Sequence, residues 1–130
     1  MNPLLSKPGY LIRRCQQIAV AIFLEECSAY GTTPVQYAIL ETLSEHGRLD
    51  QISLTSAVAL DRSTVAELVS RLAEKGWIAR SRSTRDRRAK ELEITPAGAR
   101  LLARLEPLVE RAQRRILAPL TAAERQQFLA

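Results

Sequence analysis

Histidine, cysteine and aromatic side chains are scarce in this 130-residue chain, which has one histidine, two cysteines and 5% Phe, Trp and Tyr together. The lone histidine, His46, has no serine, cysteine or carboxylate pair spaced to complete a catalytic set, and no glycine-rich phosphate loop occurs, so an enzyme is not expected. His46 falls just before Gly47, where an imidazole can satisfy the carbonyls at a helix end. Cys15 and Cys27 are twelve residues apart, which is not a metal-ligand spacing, and neither a metal nor another cofactor is expected. So few aromatics give no stacking platform for single-stranded nucleic acid. No signal-peptide pattern opens the chain, and no apolar run reaches the ~20 residues of a membrane helix. A cytoplasmic protein with reduced thiols and no membrane partner is the expectation.

The sequence does have enough apolar residues, 46%, to pack a core, and its length fits one domain spanning 1–130. The net charge of +5 is local. Arg80, Arg82, Arg85, Arg87, Arg88 and Lys90 are six positives against the single negative Asp86, so residues 80–90 hold the whole excess and the rest sums to zero. A block of one sign marks an interaction surface, and a positive one favours an anionic partner such as nucleic acid.

Between Lys7 and Ala29, Leu11, Cys15, Ile18 and Ile22 recur at helical spacing, flanked by Ile12, Ala19 and Phe23. A stripe that wide needs partners on more than one side. Gly31 stops the helix. Thr33-Pro34-Val35-Gln36 starts the next, which carries Val35, Ile39, Leu40 and Leu43 inward and ends at Gly47. Asp50 caps a short helix through about Val58, and Asp61 caps another to about Lys75, closed by Gly76. Trp77 to Ser83 and Lys90 to Ile94 read as paired strands joined by a tip from Thr84 to Ala89. Thr95-Pro96 opens a long helix through Leu101, Leu105, Leu108, Ala112 and Ile116, with a kink expected at Pro107. After Pro119, Thr121-Ala122-Ala123-Glu124 is a capping box for a last, short helix, which must dock on something or begin a longer segment.

Two short helices separated by Ala59-Leu60 and followed at once by a hairpin form a winged helix-turn-helix. The predicted fold is mainly α with a small β-hairpin wing, with helices on either side of a DNA-binding lobe at about 33–98. On the helix after Asp61, Val65, Leu68, Val69 and Leu72 face inward. Ser63, Ala66, Glu67 and Ser70 lie opposite, with Arg62 and Thr64 in the first turn, a small polar face suited to a major groove. Ser63 and Thr64 can donate to base edges or phosphates, and Arg62 and Arg71 can hold phosphates or guanines. Glu67 can accept from a cytosine amine, but a pair with Arg71 four residues on is the preferred reading. The wing reaches the neighbouring minor groove, whose negative potential favours arginine. Arg87 or Arg88 is the reader, braced by Asp86. Arg85 is also in the tip, and Arg80 and Arg82 share one strand face suited to phosphates.

These residues resemble the MarR family of bacterial transcriptional regulators. Asp86-Arg87-Arg88, followed by Ile94-Thr95 and Gly98, is similar to the family's D-x-R…[LI]-T-x-x-G signature, and the arginine of D-x-R falls on Arg88. The segment "LDRSTVAELVSRLAEKGWI", Leu60 to Ile78, resembles the family's recognition helix. The resemblance implies a homodimer on a palindromic operator in double-stranded DNA, acting as a bacterial, nucleoid-associated repressor. Residues 7–30 and 99–130 would be the dimerisation helices, although the family's last helix is usually fuller. The segment "GYLIRRCQQIAVAIFLEECSAYGTTPVQYAIL" is similar to the branch controlling breakdown of aromatic acids. That similarity implies release by an aromatic acid or its coenzyme A thioester, held between the dimerisation helices and the DNA-binding lobe, with Arg13, Arg14, Ile18, Ile22, Tyr37 and Leu108 as lining candidates. The alternative is a redox-sensing regulator acting through Cys15 or Cys27, as in other members of the family.

Overall fold

The computed structural model describes residues 1–82 and 90–130. They form two compact units, Pro34–Leu105, and Met1–Thr33 together with Glu106–Ala130.

In the first unit, α2 (Pro34–His46) buries Gln36, Ile39, Leu40 and Leu43 on one helical face. It ends with the His46 ring, whose Nδ1 lies 2.9 Å from the Thr42 carbonyl. Strand β1 (Arg48–Asp50) follows. Asp50 then caps α3 (Gln51–Val58), its Oδ1 accepting from the Ser53 amide at 2.8 Å. These bonds to Ser53, backbone first and hydroxyl second, hold the Asp50 carboxyl below the usual carboxylate range. Helix α3 stops on Ala59, a left-handed residue at φ 57°. Helix α4 (Arg62–Glu74) buries Val65, Val69 and Leu72, the spacing of one helical face. It closes in a Schellman turn: Gly76 is left-handed at φ +78° and the Trp77 amide donates to the Leu72 carbonyl at 3.0 Å.

Strands β2 (Ile78–Arg82) and β3 (Lys90–Ile94) pair antiparallel, Ile78 opposite Ile94 and Arg82 opposite Lys90. The sheet has a third strand that sequence patterning did not indicate. β1 pairs with the other side of β3, Leu49 opposite Leu92, giving the order β1-β3-β2. Three residues are too few to show alternation, and β1 is extended because β3 offers it a ladder. Leu92, on the central strand, is fully buried, as are Ile39, Leu40, Leu43, Leu54, Val65, Leu72 and Leu105.

Helix α5 (Pro96–Leu117) starts at Thr95. The Thr95 amide donates to the Trp77 carbonyl at 3.0 Å. Its hydroxyl donates to the Gly76 carbonyl at 2.6 Å and accepts from the Gly98 amide at 3.0 Å. Gly98 is required by space: a Cβ there would sit inside van der Waals contact of the Trp77 carbonyl and 2.8 Å from Ile94 Cγ1. The Thr-x-x-Gly spacing thus serves one junction, where the end of α4, the base of the wing and the start of α5 meet. The helix runs unbroken through Pro107.

The second unit contains a 3-10 turn, Pro3–Ser6, then α1 (Pro8–Glu26), the distal part of α5, and α6 (Ala122–Leu129). α1 is shorter than its apolar pattern, ending at the cap residue Cys27. Phe23, Cys27, Val109 and Ala112 are its buried apolar residues. Arg115 Nη2 lies 2.8 Å from Glu25 and Nη1 3.2 Å from Glu26, tying α5 to α1, and the two carboxylates, Glu25 first, push the guanidinium further up. The capping box of α6 is formed: Glu124 accepts from the Thr121 amide at 2.8 Å and donates its own amide to the Thr121 hydroxyl at 3.2 Å. Within the described chain the stripe on α1 is largely uncovered. Leu11, Ile12, Cys15 and Ile18 are exposed and Ile22 is half-buried.

Candidate nucleic-acid interface

The first turn of α4 is organised by one carboxylate. Asp61 Oδ2 accepts from the Ser63 hydroxyl at 2.6 Å and from the Thr64 amide at 3.0 Å, and Oδ1 accepts from the Thr64 hydroxyl at 2.6 Å. The two hydroxyls, Ser63 first, and then the Thr64 amide hold the Asp61 carboxyl far below the usual carboxylate range. Sequence reasoning identified Asp61 as a cap but missed its hold on both hydroxyls. The D-x-S-T spacing was the available signal, since each hydroxyl falls within reach of a residue two or three positions earlier.

Further along, Arg71 Nη2 lies 2.6 Å from Glu67 Oε1, so this pair is formed. Both side chains are exposed, and such a pair adds only about 0.3–0.5 kcal/mol. Arg80, on β2, donates from Nη1 to the Ser70 hydroxyl at 3.3 Å. The first strand of the wing therefore lays a guanidinium against the outer face of α4. Arg62 and Ser63 are exposed, and Thr64 and Ser70 half-buried, at that same face. Arg82 is placed by its backbone, opposite Lys90. Arg85, Asp86, Arg87 and Arg88 lie outside the described residues.

The effector candidates fall on different elements. Arg13, Arg14, Ile18 and Ile22 are on α1, Tyr37 on α2 and Leu108 on α5. The Arg13 guanidinium stands 5.7 Å over the Tyr10 ring, Arg14 donates to Gln17 at 3.0 Å, and the Tyr37 hydroxyl donates to Glu41 at 3.4 Å. Sequence reasoning passed over Thr32, whose side chain is 1% exposed and whose hydroxyl has no hydrogen-bond partner among the described residues. A residue type common in loops gives no sign of such burial.

The cysteine reading gains no support. Cys27 is fully buried, and burial, then the charge of Glu26, pushes its thiol up, away from the reactive thiolate. Cys15 was assigned to the apolar stripe of α1 and is exposed in the single chain.

Residues 32–90 match the model of the MarR family. The chain is 31% identical to the HTH-type transcriptional repressor NicR of Pseudomonas putida over 93% of its own length and 77% of NicR. Among solved structures it is similar to BpsR of Bordetella bronchiseptica, a structure describing regulation of DNA binding by 6-hydroxynicotinic acid (TM-score 0.91, 29% identity, 95% of this chain and 89% of that one). It is also similar to the transcriptional repressor CouR bound to a 23-mer DNA duplex (TM-score 0.91, 28% identity, 99% of this chain and 92% of that one).

Proposed function

The chain belongs to the MarR family of transcriptional regulators, and from that premise we propose that it is a homodimeric repressor that grips a palindromic operator in double-stranded DNA and is released by a small aromatic acid or its coenzyme A thioester. The observation that carries the DNA reading is the contact between Arg80 and Ser70, which joins a capped helix with a polar outer face to the first strand of an arginine-rich wing. On this reading Arg62, Ser63, Thr64, Glu67, Ser70 and Arg71 enter or flank the major groove. Arg80 and Arg82 hold phosphates. Arg85, Arg87 and above all Arg88, braced by Asp86, serve the minor groove.

The homodimer reading rests on where apolar surface is left bare. Met1, Leu4, Leu5, Leu11, Ile12, Ile18, Leu24, Phe128 and Leu129 are exposed and all belong to the unit of terminal segments, whereas Ile52 is the one large exposed apolar residue of the other unit among the described residues. Apolar surface concentrated in this way is a mark of association, and a second copy brings the same surface to it. Two recognition helices then stand about one turn of DNA apart, ~34 Å, when the dimer is competent. The effector acts by binding better to a dimer with a different spacing, and it weakens the operator complex by that difference in affinity. Its carboxylate suits Arg13 or Arg14, and the orphaned Thr32 hydroxyl is a buried polar group that a polar ligand satisfies. The link to aromatic acids is supported by BpsR, which responds to 6-hydroxynicotinic acid.

Fluorescence anisotropy on operator DNA at several salt concentrations tests the reading. Arg88→Ala is expected to weaken binding and to flatten the salt dependence by about one counterion, and an unchanged slope and affinity would count against the wing's role. A panel of aromatic acids and thioesters is expected to contain one that releases DNA, and a wholly inert panel removes the effector while leaving DNA binding. Ile12→Glu is expected to lower the sedimenting mass towards that of a single chain.

A further inference from the structure

We infer that α4 reads DNA chiefly as a hydrogen-bond acceptor, through Ser63, Thr64 and Glu67, and therefore selects, on the strand it faces, bases that present an amine in the major groove: adenine through its N6 and cytosine through its N4. This rests on the duplex-binding role proposed above and specifies what that role recognises.

A serine or threonine hydroxyl has one proton and two lone pairs and turns to suit its surroundings, which is why sequence reading left Ser63 and Thr64 as donors. The Asp61 carboxylate removes the choice. It is ionised and has no proton to give, so each 2.6 Å contact with a hydroxyl is a donation from that hydroxyl. Both protons are committed inward, and what remains for a partner is lone pairs. Glu67 lies three and four residues beyond Thr64 and Ser63, on the same side of the helix. It uses Oε1 for Arg71, and its carboxylate has only electron pairs to offer a partner. Three neighbouring groups at the start of the recognition helix thus offer electron pairs without a donor among them.

Major-groove edges sort cleanly against such a surface. Guanine presents only acceptors there, and thymine an acceptor and a methyl, whereas adenine and cytosine present an amine. Phosphate oxygens are acceptors as well, so Ser63 and Thr64 make poor phosphate ligands, and that task passes to the arginines. Asp61 is a positioning residue in this scheme: without touching DNA it sets the polarity of the two groups that do.

The test begins with selection of preferred sites from a random duplex pool by the full chain. Each adenine and cytosine of the selected site is then replaced by its amine-free analogue, purine or pyrimidin-2-one, and affinity is read by anisotropy. Removal of the amines that face α4 is expected to cost roughly tenfold each, the scale of one hydrogen bond to a buried polar partner. The same replacements should cost little in Ser63→Ala and Thr64→Val. Asp61→Asn keeps a good cap but carries an amide that must itself donate, so one hydroxyl proton is released outward. That variant is expected to accept guanine or thymine at the same positions while still unfolding cooperatively on heating. Amine removal that is neutral throughout the site, or an Asp61→Asn variant with the parent's base preference, overturns the inference with DNA binding intact. A pool from which no duplex is enriched overturns the DNA-binding reading and this inference together.

Discussion

The Thr95 hydroxyl donates to the carbonyl of Gly76 across 2.6 Å, joining residues nineteen apart in the chain. Gly76 ends the recognition helix and Thr95 begins α5, so the two helices share a hydrogen bond at the foot of the wing. Because the same hydroxyl accepts from the Gly98 amide, the link is part of the cap of α5. A shift of the first turn of α5 is passed directly to the C-terminal end of α4.

Thr95→Val keeps the shape and removes both bonds. Loss of the cap costs about 1 kcal/mol, and a carbonyl left without its donor adds up to about 1 kcal/mol more. Urea denaturation should show a fall of about 1–2 kcal/mol. A change below 0.5 kcal/mol would mean that the junction is held by packing alone.

Gly98→Ala separates two opposed effects. Alanine favours a helix by up to about 1 kcal/mol over glycine. Here the new methyl meets the Trp77 backbone carbonyl, which is itself bonded to the Thr95 amide and has little room to yield. Overpacking of about 1–3 kcal/mol should win, so thermal melting is expected to fall. A rise in melting temperature would show that the turn relaxes freely.

Ala59→Gly should move stability the other way. Ala59 is the described residue other than glycine with positive φ, at 57°, and a left-handed alanine costs about 1 kcal/mol or slightly more. Glycine removes that cost and adds some chain entropy to the unfolded state. The expected net gain is up to about 0.5 kcal/mol, read as a higher urea midpoint with an unchanged slope.

Acid should loosen the helix-turn-helix through its caps. The folded-state pKa values of Asp50 and Asp61 are lowered, so their contribution is complete above the unfolded carboxylate value near 4 and drains away as pH falls from there towards the folded values. The urea midpoint should be level down to about pH 5 and then drop, and Asp61→Asn, which has no carboxyl to titrate, should drop less steeply. Equal slopes for the parent and Asp61→Asn would remove Asp61 from the acid limb.

Local chemistry made much of this fold legible in the sequence. Asp50, Asp61, Thr121 and Glu124 declare their helices because a cap is read within three residues, and Asp61 and Thr121 cap as their spacing implies. The Glu67–Arg71 pair was legible for the same reason, since four residues make one turn. What stayed hidden depends on distant chain. β1 is a strand because β3 pairs with it, and Ala59 is left-handed because two helices meet there, with no glycine to announce it. Burial of the Thr32 hydroxyl and the direction of the Ser63 and Thr64 protons are settled by neighbours that composition and spacing do not reveal.

The clasp of Arg115 on Glu25 and Glu26 joins positions about ninety residues apart. During synthesis α1 leaves the ribosome long before α5 exists, and the compact unit Pro34–Leu105 is made in between. The newborn N-terminal helix therefore waits, apolar side outward, until nearly the whole polypeptide has been made. For that interval the N-terminal segment lacks the ion pairs that tie it to α5 in the finished chain.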